Sequence, residues 1–266
     1  MNGLKKTNLS NLQVLITRPA QQAEKLCQLI EQQDGRVILL PTIAIEYIES
    51  DNQPDLQAVL KKLAVQAIAI FISPNAVAAA HALLQKYALP WPEQLQIAAI
   101  GASTAQALTN LGVVVTLVPT EQFNSEGLLN LSALQKVQGQ RIIIFRGEGG
   151  RELLSAILSE RGAILTEAVV YRRVLPECNI QTRLTQWQQG GLDMLVCTSN
   201  TGLQNLVTIV GESARNWLMN MPLLVISERM AEFAQTIGFV KKPIVADNAT
   251  DEAIVQALLT YCDSNK

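Results

Sequence analysis

The stretch Ile164-Leu-Thr-Glu-Ala-Val-Val-Tyr171-Arg-Arg-Val174 decides how the chain divides. It follows Gly162, begins apolar, carries Glu167, and ends in Tyr171, Arg172 and Arg173. That is too long and too weakly apolar for one ordinary core strand of about five or six residues. A second stretch, Val37-Ile-Leu-Leu-Pro41-Thr-Ile-Ala-Ile-Glu-Tyr-Ile48 after Gly35, reads the same way. Both are read as strands that leave one compact body and cross to another. On this reading Tyr171 sits at the mouth between two lobes, and the lobes are the jaws of a binding cleft.

Around these stretches, short apolar runs alternate with segments of helical spacing. Strands are expected over 14–17, 67–72, 97–100, 113–118, 141–145, 193–197, 223–226 and 244–246, with helices between most of them, among them 55–63 and 181–188. The turn Asp51-Asn-Gln-Pro54 and the loop Leu89-Pro-Trp-Pro92 punctuate the first half. Strands alternating with helices at this spacing predict an α/β protein with mostly parallel sheets.

The pattern occurs twice. Arg18-Pro19 lies 128 positions before Arg146-Gly147, Gly35 lies 127 before Gly162, Ser73-Pro74-Asn75 lies 125 before Thr198-Ser199-Asn200, and Gly112 lies 126 before Gly238. A two-strand piece followed by a three-strand piece is therefore repeated. The repeats either form one domain each, breaking near residue 138, or exchange pieces. The exchanged arrangement is preferred, because both long strands then fall at domain exits and can pair as a two-stranded hinge. It gives one discontinuous domain, 1–41 with 176–266, a second, 50–168, and linker strands over 42–49 and 169–175.

Composition narrows the function. The 266 residues carry 21 Lys+Arg against 23 Asp+Glu, a net charge of −2, which argues against broad attraction to nucleic acid or an anionic membrane. The first 13 residues have Lys5 and Lys6 but no apolar block, so no secretory signal is expected, and no 18-residue apolar window suggests a span. Four cysteines without CxxC spacing are expected to be reduced, buried thiols in a cytoplasmic protein. One histidine and scattered cysteines make no metal ligand set, and His81 is read as a core residue. Gly147-Glu148-Gly149-Gly150 lacks the spacing of a dinucleotide fingerprint and no GxxxxGK[ST] exists, so no cofactor is expected.

Seven strand-to-helix turns remain: Thr17-Arg18-Pro19, Ser73-Pro74-Asn75, Gly101-Ala102-Ser103-Thr104, Arg146-Gly147, Thr198-Ser199-Asn200, Ser227-Glu228 and Asn248-Ala249-Thr250. Each offers free backbone N–H groups and partial positive charge, which bind carboxylates without net charge. Each Ser, Thr or Asn is equally an ordinary N-cap. As a set, the turns suit a ligand with many acidic groups. Tyr171 either packs the hinge or offers its phenol as a proton donor to a leaving oxygen.

Together these stretches resemble the uroporphyrinogen-III synthase family. The resemblance is carried by Leu15-Ile-Thr-Arg-Pro19, Phe71-Ile-Ser-Pro-Asn-Ala-Val77, Ile100-Gly-Ala-Ser-Thr-Ala105, Phe145-Arg-Gly-Glu-Gly-Gly-Arg-Glu-Leu-Leu154, Val169-Val-Tyr-Arg-Arg173 and Thr198-Ser-Asn200, in family order over nearly the whole chain. It implies two flavodoxin-like domains, exchanged and joined by a two-stranded linker. It also implies a cofactor-free enzyme that closes the linear tetrapyrrole hydroxymethylbilane; a monomer and a transient handover from the upstream deaminase are expected beside it. Water is lost, the last pyrrole ring is inverted through a spiro intermediate, and uroporphyrinogen III forms. The family's tyrosine falls on Tyr171, and its other cleft residues on Thr104, Ser73, Asn75, Thr198, Ser199, Asn200 and Thr250. With the turn residues Arg18, Pro74, Gly101, Ser103, Arg146 and Gly147, these make the candidate site. The alternative is a non-catalytic, two-lobed binding module for a small polyacid, which would bind the bilane without yielding isomer III.

Overall fold

The computed structural model describes residues 8–48, 54–150 and 152–265. Lys5, Lys6, the 51–53 part of the expected turn and Arg151 lie outside them. The chain forms two compact units, one from Met1–Ala44 with Val174–Lys266, the other from Ile45–Arg173.

The first unit holds β1 (Gln13–Ile16), α1 (Ala20–Glu31), β2 (Arg36–Leu39), α8 (Gln181–Gln186), β8 (Met194–Val196), α9 (Asn200–Val210), α10 (Glu212–Met219), β9 (Leu223–Val225), α11 (Glu228–Thr236), β10 (Ile244–Val245) and α12 (Asp251–Ser264). Its sheet runs β10-β9-β8-β1-β2, with all pairs described parallel. In chain order this is 2-1-3-4-5, the flavodoxin-like arrangement. Side chains alternate across the sheet, and both faces are covered. Val14, Ile16, Met194, Val196 and Leu224 meet Leu26 and Ile30 of α1 and Ile254 and Leu258 of α12. Leu15, Leu195, Cys197, Leu223 and Val225 meet α9, α10 and α11 on the other face.

The second unit holds β3 (Ala44–Tyr47, whose first residue still belongs to the first unit), α2 (Pro54–Lys61), β4 (Ile68–Phe71), α3 (Pro74–Lys86), β5 (Gln96–Ala99), α4 (Ala102–Thr109), α5 (Ser125–Leu129), α6 (Ser132–Gln135), β6 (Arg141–Gly147), α7 (Leu153–Glu160) and β7 (Ile164–Val174, whose last residue is again of the first unit). Its sheet runs β3-β7-β6-β4-β5, and β7, β6, β4 and β5 are parallel. Phe71 stacks on Phe145 at 4.7 Å within a cluster that includes α3 and α4. Ile68, Ile70, Ile142 and Ile144 face α5, α6 and α7. The order β7-β6-β4-β5 reproduces β2-β1-β8-β9 of the first unit, with β6 in the place of β1 and β4 in that of β8.

Several expectations need correcting. The 37–48 stretch is not one strand: β2 stops at Leu39 and β3 begins at Ala44. Pro41 falls in the gap, and with no N–H it cannot continue a ladder. The 113–118 strand is reduced to a single bridge between Ala98 and Leu117, with Val114 78% exposed. The helix expected over 181–188 ends at Gln186 and unwinds through Trp187–Gly191, where Gly190 has φ +95°. The sequence reading did not anticipate α10. Of the four free cysteines only Cys197 is buried; Cys178 is exposed, and Cys27 and Cys262 are intermediate. His81 is half-buried and stacks on Trp91 at 6.5 Å.

Candidate active site

In each sheet two adjacent central strands send their helices to opposite faces. After β1 the chain enters α1 on one face, and after β8 it enters α9 on the other. In the second unit β6 leads to α7 and β4 to α3, again on opposite faces. This is the switch point of an open α/β sheet, where a crevice opens outside the carboxyl ends of the strands. The candidate residues fall at or beside these two points. Thr17-Arg18 and Thr198-Ser199-Asn200 meet at the first, Arg146-Gly147 and Ser73-Pro74-Asn75 at the second. Gly101, Ser103 and Thr104 follow β5, one strand further out, and Thr250 follows β10 at the edge of its sheet.

At the second unit's switch point three candidates touch. The Tyr171 hydroxyl lies 3.1 Å from Ser73 Oγ. The Tyr171 ring lies over Gly147, where a Cβ would come within 2.5 Å of Cζ and 2.7 Å of Cε2. The β6–β7 register explains the placement. Arg146 pairs with Val169 but Gly147 with Tyr171, so Val170 is bulged out. Strict alternation would set residue 171 opposite Ala168 and Val170; after the bulge it joins their cluster beside Phe71 and Phe145. A bulge of this kind re-aims a side chain. Tyr171 is 2% exposed, and its hydroxyl reaches the carboxyl edge beside half-buried Ser73.

The hydroxyl candidates that open helices are N-caps. Ser73 Oγ accepts from the Ala76 amide at 3.1 Å, Ser199 Oγ from Gly202 at 3.0 Å, and Thr250 Oγ1 from Ala253 at 3.3 Å. Each cap satisfies one of the four unpaired N–H groups of its helix end. Helix α4 begins at Gly101, which has no side chain to cap it. Thr104 is buried, while Ser103, Pro74 and Thr250 are exposed and Asn75 is half-buried. The Asn200 Oδ1 is buried with no hydrogen-bond partner among the described residues.

The two cationic candidates are neutralised inside their own units. Arg146 donates to Glu167 Oε2 at 3.1 Å and to the Gly149 carbonyl at 2.6 Å, and only 8% of its side chain is exposed. It therefore shapes the glycine-rich exit loop. Arg18 donates through Nε to Thr198 Oγ1 at 3.2 Å and pairs with Asp251, the first residue of α12. Sequence reasoning missed these acidic partners, because Asp251 lies 233 positions from Arg18 and no local pattern links them. It also missed Phe123, 57% exposed, whose Cβ is 3.1 Å from a Cβ position at Gly101. No motif marks that aromatic at the start of α4.

Known proteins place the chain. Residues 24–256 match the family described as uroporphyrinogen-III synthase HemD. The chain is 35% identical over 248 residues to the uroporphyrinogen-III synthase of Salmonella typhimurium, and 34% identical over 248 residues to that of Escherichia coli. Both alignments cover 93% of this chain and all of the relative. Among solved structures, a mutant uroporphyrinogen III synthase of Thermus thermophilus shares the fold with a TM-score of 0.58 at 19% identity, covering 96% of this chain and 100% of that one. The Helicobacter pylori uroporphyrinogen-III synthetase does so with a TM-score of 0.57 at 15% identity, covering 94% and 99%. With the family match spanning most of its length and two full-length relatives above 30% identity, the chain belongs to the uroporphyrinogen-III synthase family.

Proposed function

We propose that the chain is a cyclising lyase that converts hydroxymethylbilane to uroporphyrinogen III. The family match over residues 24–256 carries this reading. In the reaction, a pyrrole nitrogen lone pair expels the terminal hydroxyl, which leaves as water once it has taken a proton. The resulting carbocation closes onto the last ring at its substituted carbon, giving the spiro intermediate. That intermediate opens and recloses with the ring inverted, and the carbon that forms the last bond loses its hydrogen as a proton, which restores the pyrrole and balances the proton taken by the departing water.

The Tyr171 phenol supplies the proton to the departing hydroxyl. Its hydroxyl stands at a switch point, 3.1 Å from Ser73 Oγ, in support of this role. The acetate and propionate arms of the substrate are received by the first-turn amides of α3, α4 and α9, at Ser73-Pro74-Asn75, Gly101-Ser103-Thr104 and Thr198-Ser199-Asn200. Uncharged dipoles suit this work, since they bind carboxylates without desolvating a cation. The bilane can also close without inversion, so the catalyst chiefly holds one pose against another, through positioning and fixed dipoles. Arg18 and Arg146 brace the turns instead of meeting the substrate directly, in keeping with their internal ion pairs.

The enzyme acts as a cytoplasmic monomer, receiving its substrate from the upstream deaminase. Among the described residues no helix is long and apolar enough to cross a membrane. Incubation of the purified chain with hydroxymethylbilane, followed by chromatographic separation of the uroporphyrin isomers after oxidation, tests the reading. A predominance of isomer III is expected. Isomer I alone, at the rate without protein, would leave only the non-catalytic binding module.

A further inference from the structure

We infer that Gly147 and Ser73 are positioning residues that together fix the direction of the Tyr171 hydroxyl; this rests on the proposed role of that phenol as proton donor. Three features converge on one side chain. The bulge at Val170 turns Tyr171 onto the Phe71/Phe145 side of the sheet. The missing side chain at 147 leaves room for its ring. A Cβ there would stand 2.5 Å from Cζ, 2.7 Å from Cε2 and 2.9 Å from the hydroxyl oxygen, all closer than real Cβ contacts. Gly147 occupies strand β6, with no left-handed backbone that would itself demand glycine. Its absent side chain therefore serves the close approach of the tyrosine.

Ser73 closes the far end. Its Oγ already accepts the Ala76 amide at 3.1 Å, so one lone pair is committed to the start of the 13-residue helix α3. The phenol oxygen lies 3.1 Å away, a contact in which either hydroxyl can donate, and we take Ser73 as the donor. In that direction of donation, amide to serine to phenol, the tyrosine's own proton stays free for the substrate. The aligned donors also favour the charge left on the phenol oxygen once the proton has gone. Neither residue takes part in bond making; each acts through Tyr171.

The test is a double-mutant cycle in the full chain, with kcat, KM and the isomer ratio measured for each variant. Gly147→Ala is expected to lower kcat about 10-fold or more with KM changed less than about 2-fold, because the ring must swing away from Ser73. In a Tyr171→Phe background the same change is expected to cost less than about 2-fold, since no hydroxyl remains to be misplaced. Should Gly147→Ala fail to fold, Ser73 carries the test alone. Ser73→Ala lowers kcat about 5-fold or more, Ser73→Thr restores most of it, and the kcat loss from Ser73→Ala shrinks to less than about 2-fold on top of Tyr171→Phe, while any KM change that comes from the α3 turn is the same in both backgrounds. Additive losses in the two backgrounds would overturn the inference while leaving the tyrosine's role intact. A Tyr171→Phe variant as fast as the parent would instead remove the tyrosine's role, and failure to form isomer III at all would remove the function.

Discussion

Arg18 and Asp251 form an ion pair between the first strand-to-helix turn and the first residue of the last helix, with 12% and 16% of their side chains exposed. Such a pair is shielded from water, and removing one partner strands the other. Arg18→Leu is therefore expected to destabilise the first unit by about 2–3 kcal/mol, read as a lower urea midpoint. Arg18→Leu with an unchanged midpoint would show that the pair contributes nothing to the fold and would free Arg18 as a substrate anchor.

Ser199 tests whether a cap also binds. Its Oγ accepts from Gly202, and its hydrogen has no acceptor among the described residues. Ser199→Ala is expected to cost about 1 kcal/mol of stability and Ser199→Gly only a few tenths, because glycine is a tolerated N-cap. Both are expected to raise KM about 3-fold or more through the lost hydroxyl. A KM that stays at the parent value in the Gly variant would reduce Ser199 to a cap.

Tyr171→Phe is expected to slow ring closure about 10–100-fold, the usual range for a lost proton donor or somewhat less. The fold should lose no more than about 1 kcal/mol, since one hydrogen bond disappears and the ring stays. Stopped-flow mixing with freshly made bilane measures the first quantity and thermal unfolding the second.

Burial pushes the Cys197 thiol up to about 12, against a smaller opposite pull from the Thr17 hydroxyl. The native state thus keeps its proton over a range where the unfolded chain, with a thiol near 9, has lost it. More protons bound in the native state mean stability falls as pH rises. The loss from this group should begin near pH 9 and approach about 1.4 kcal/mol per pH unit toward pH 12. Unfolding midpoints measured from pH 8 to 11 should fall less steeply in Cys197→Ala than in the parent. Parallel curves would contradict the assignment. At pH 8 a thiol reagent should modify exposed Cys178 at once and Cys197 only after denaturant is added.

Much of this architecture was legible in the chain, and the losses have physical causes. The strand runs at Val14, Ile68, Ile142 and Met194 are apolar on both faces, as parallel strands under two helical layers must be, and they could be placed without coordinates. The strand at 113–118 failed because a run of valines promises a ladder that only Leu117 makes. The turns of the candidate site were readable, since Ser, Thr and Asn before a helix announce its start. The site's wiring was not. The burial of Tyr171 depends on one bulged residue and one absent methyl group, and both arginines are satisfied by acids far away in sequence or by a loop carbonyl. Pairings of this kind exist only after the fold has formed.

The strand β1 is synthesised long before its inner neighbour β8: the Gln13 amide bonds to Asp193, 180 positions on. On a ribosome adding about 5–20 residues per second, that is a delay of roughly ten to forty seconds. For that interval Val14, Leu15 and Ile16 lack the central strand of their sheet, whereas residues 45–173 have emerged complete and can close first. Nascent chains are thus most vulnerable to aggregation at β1, and a holding chaperone would find its target there.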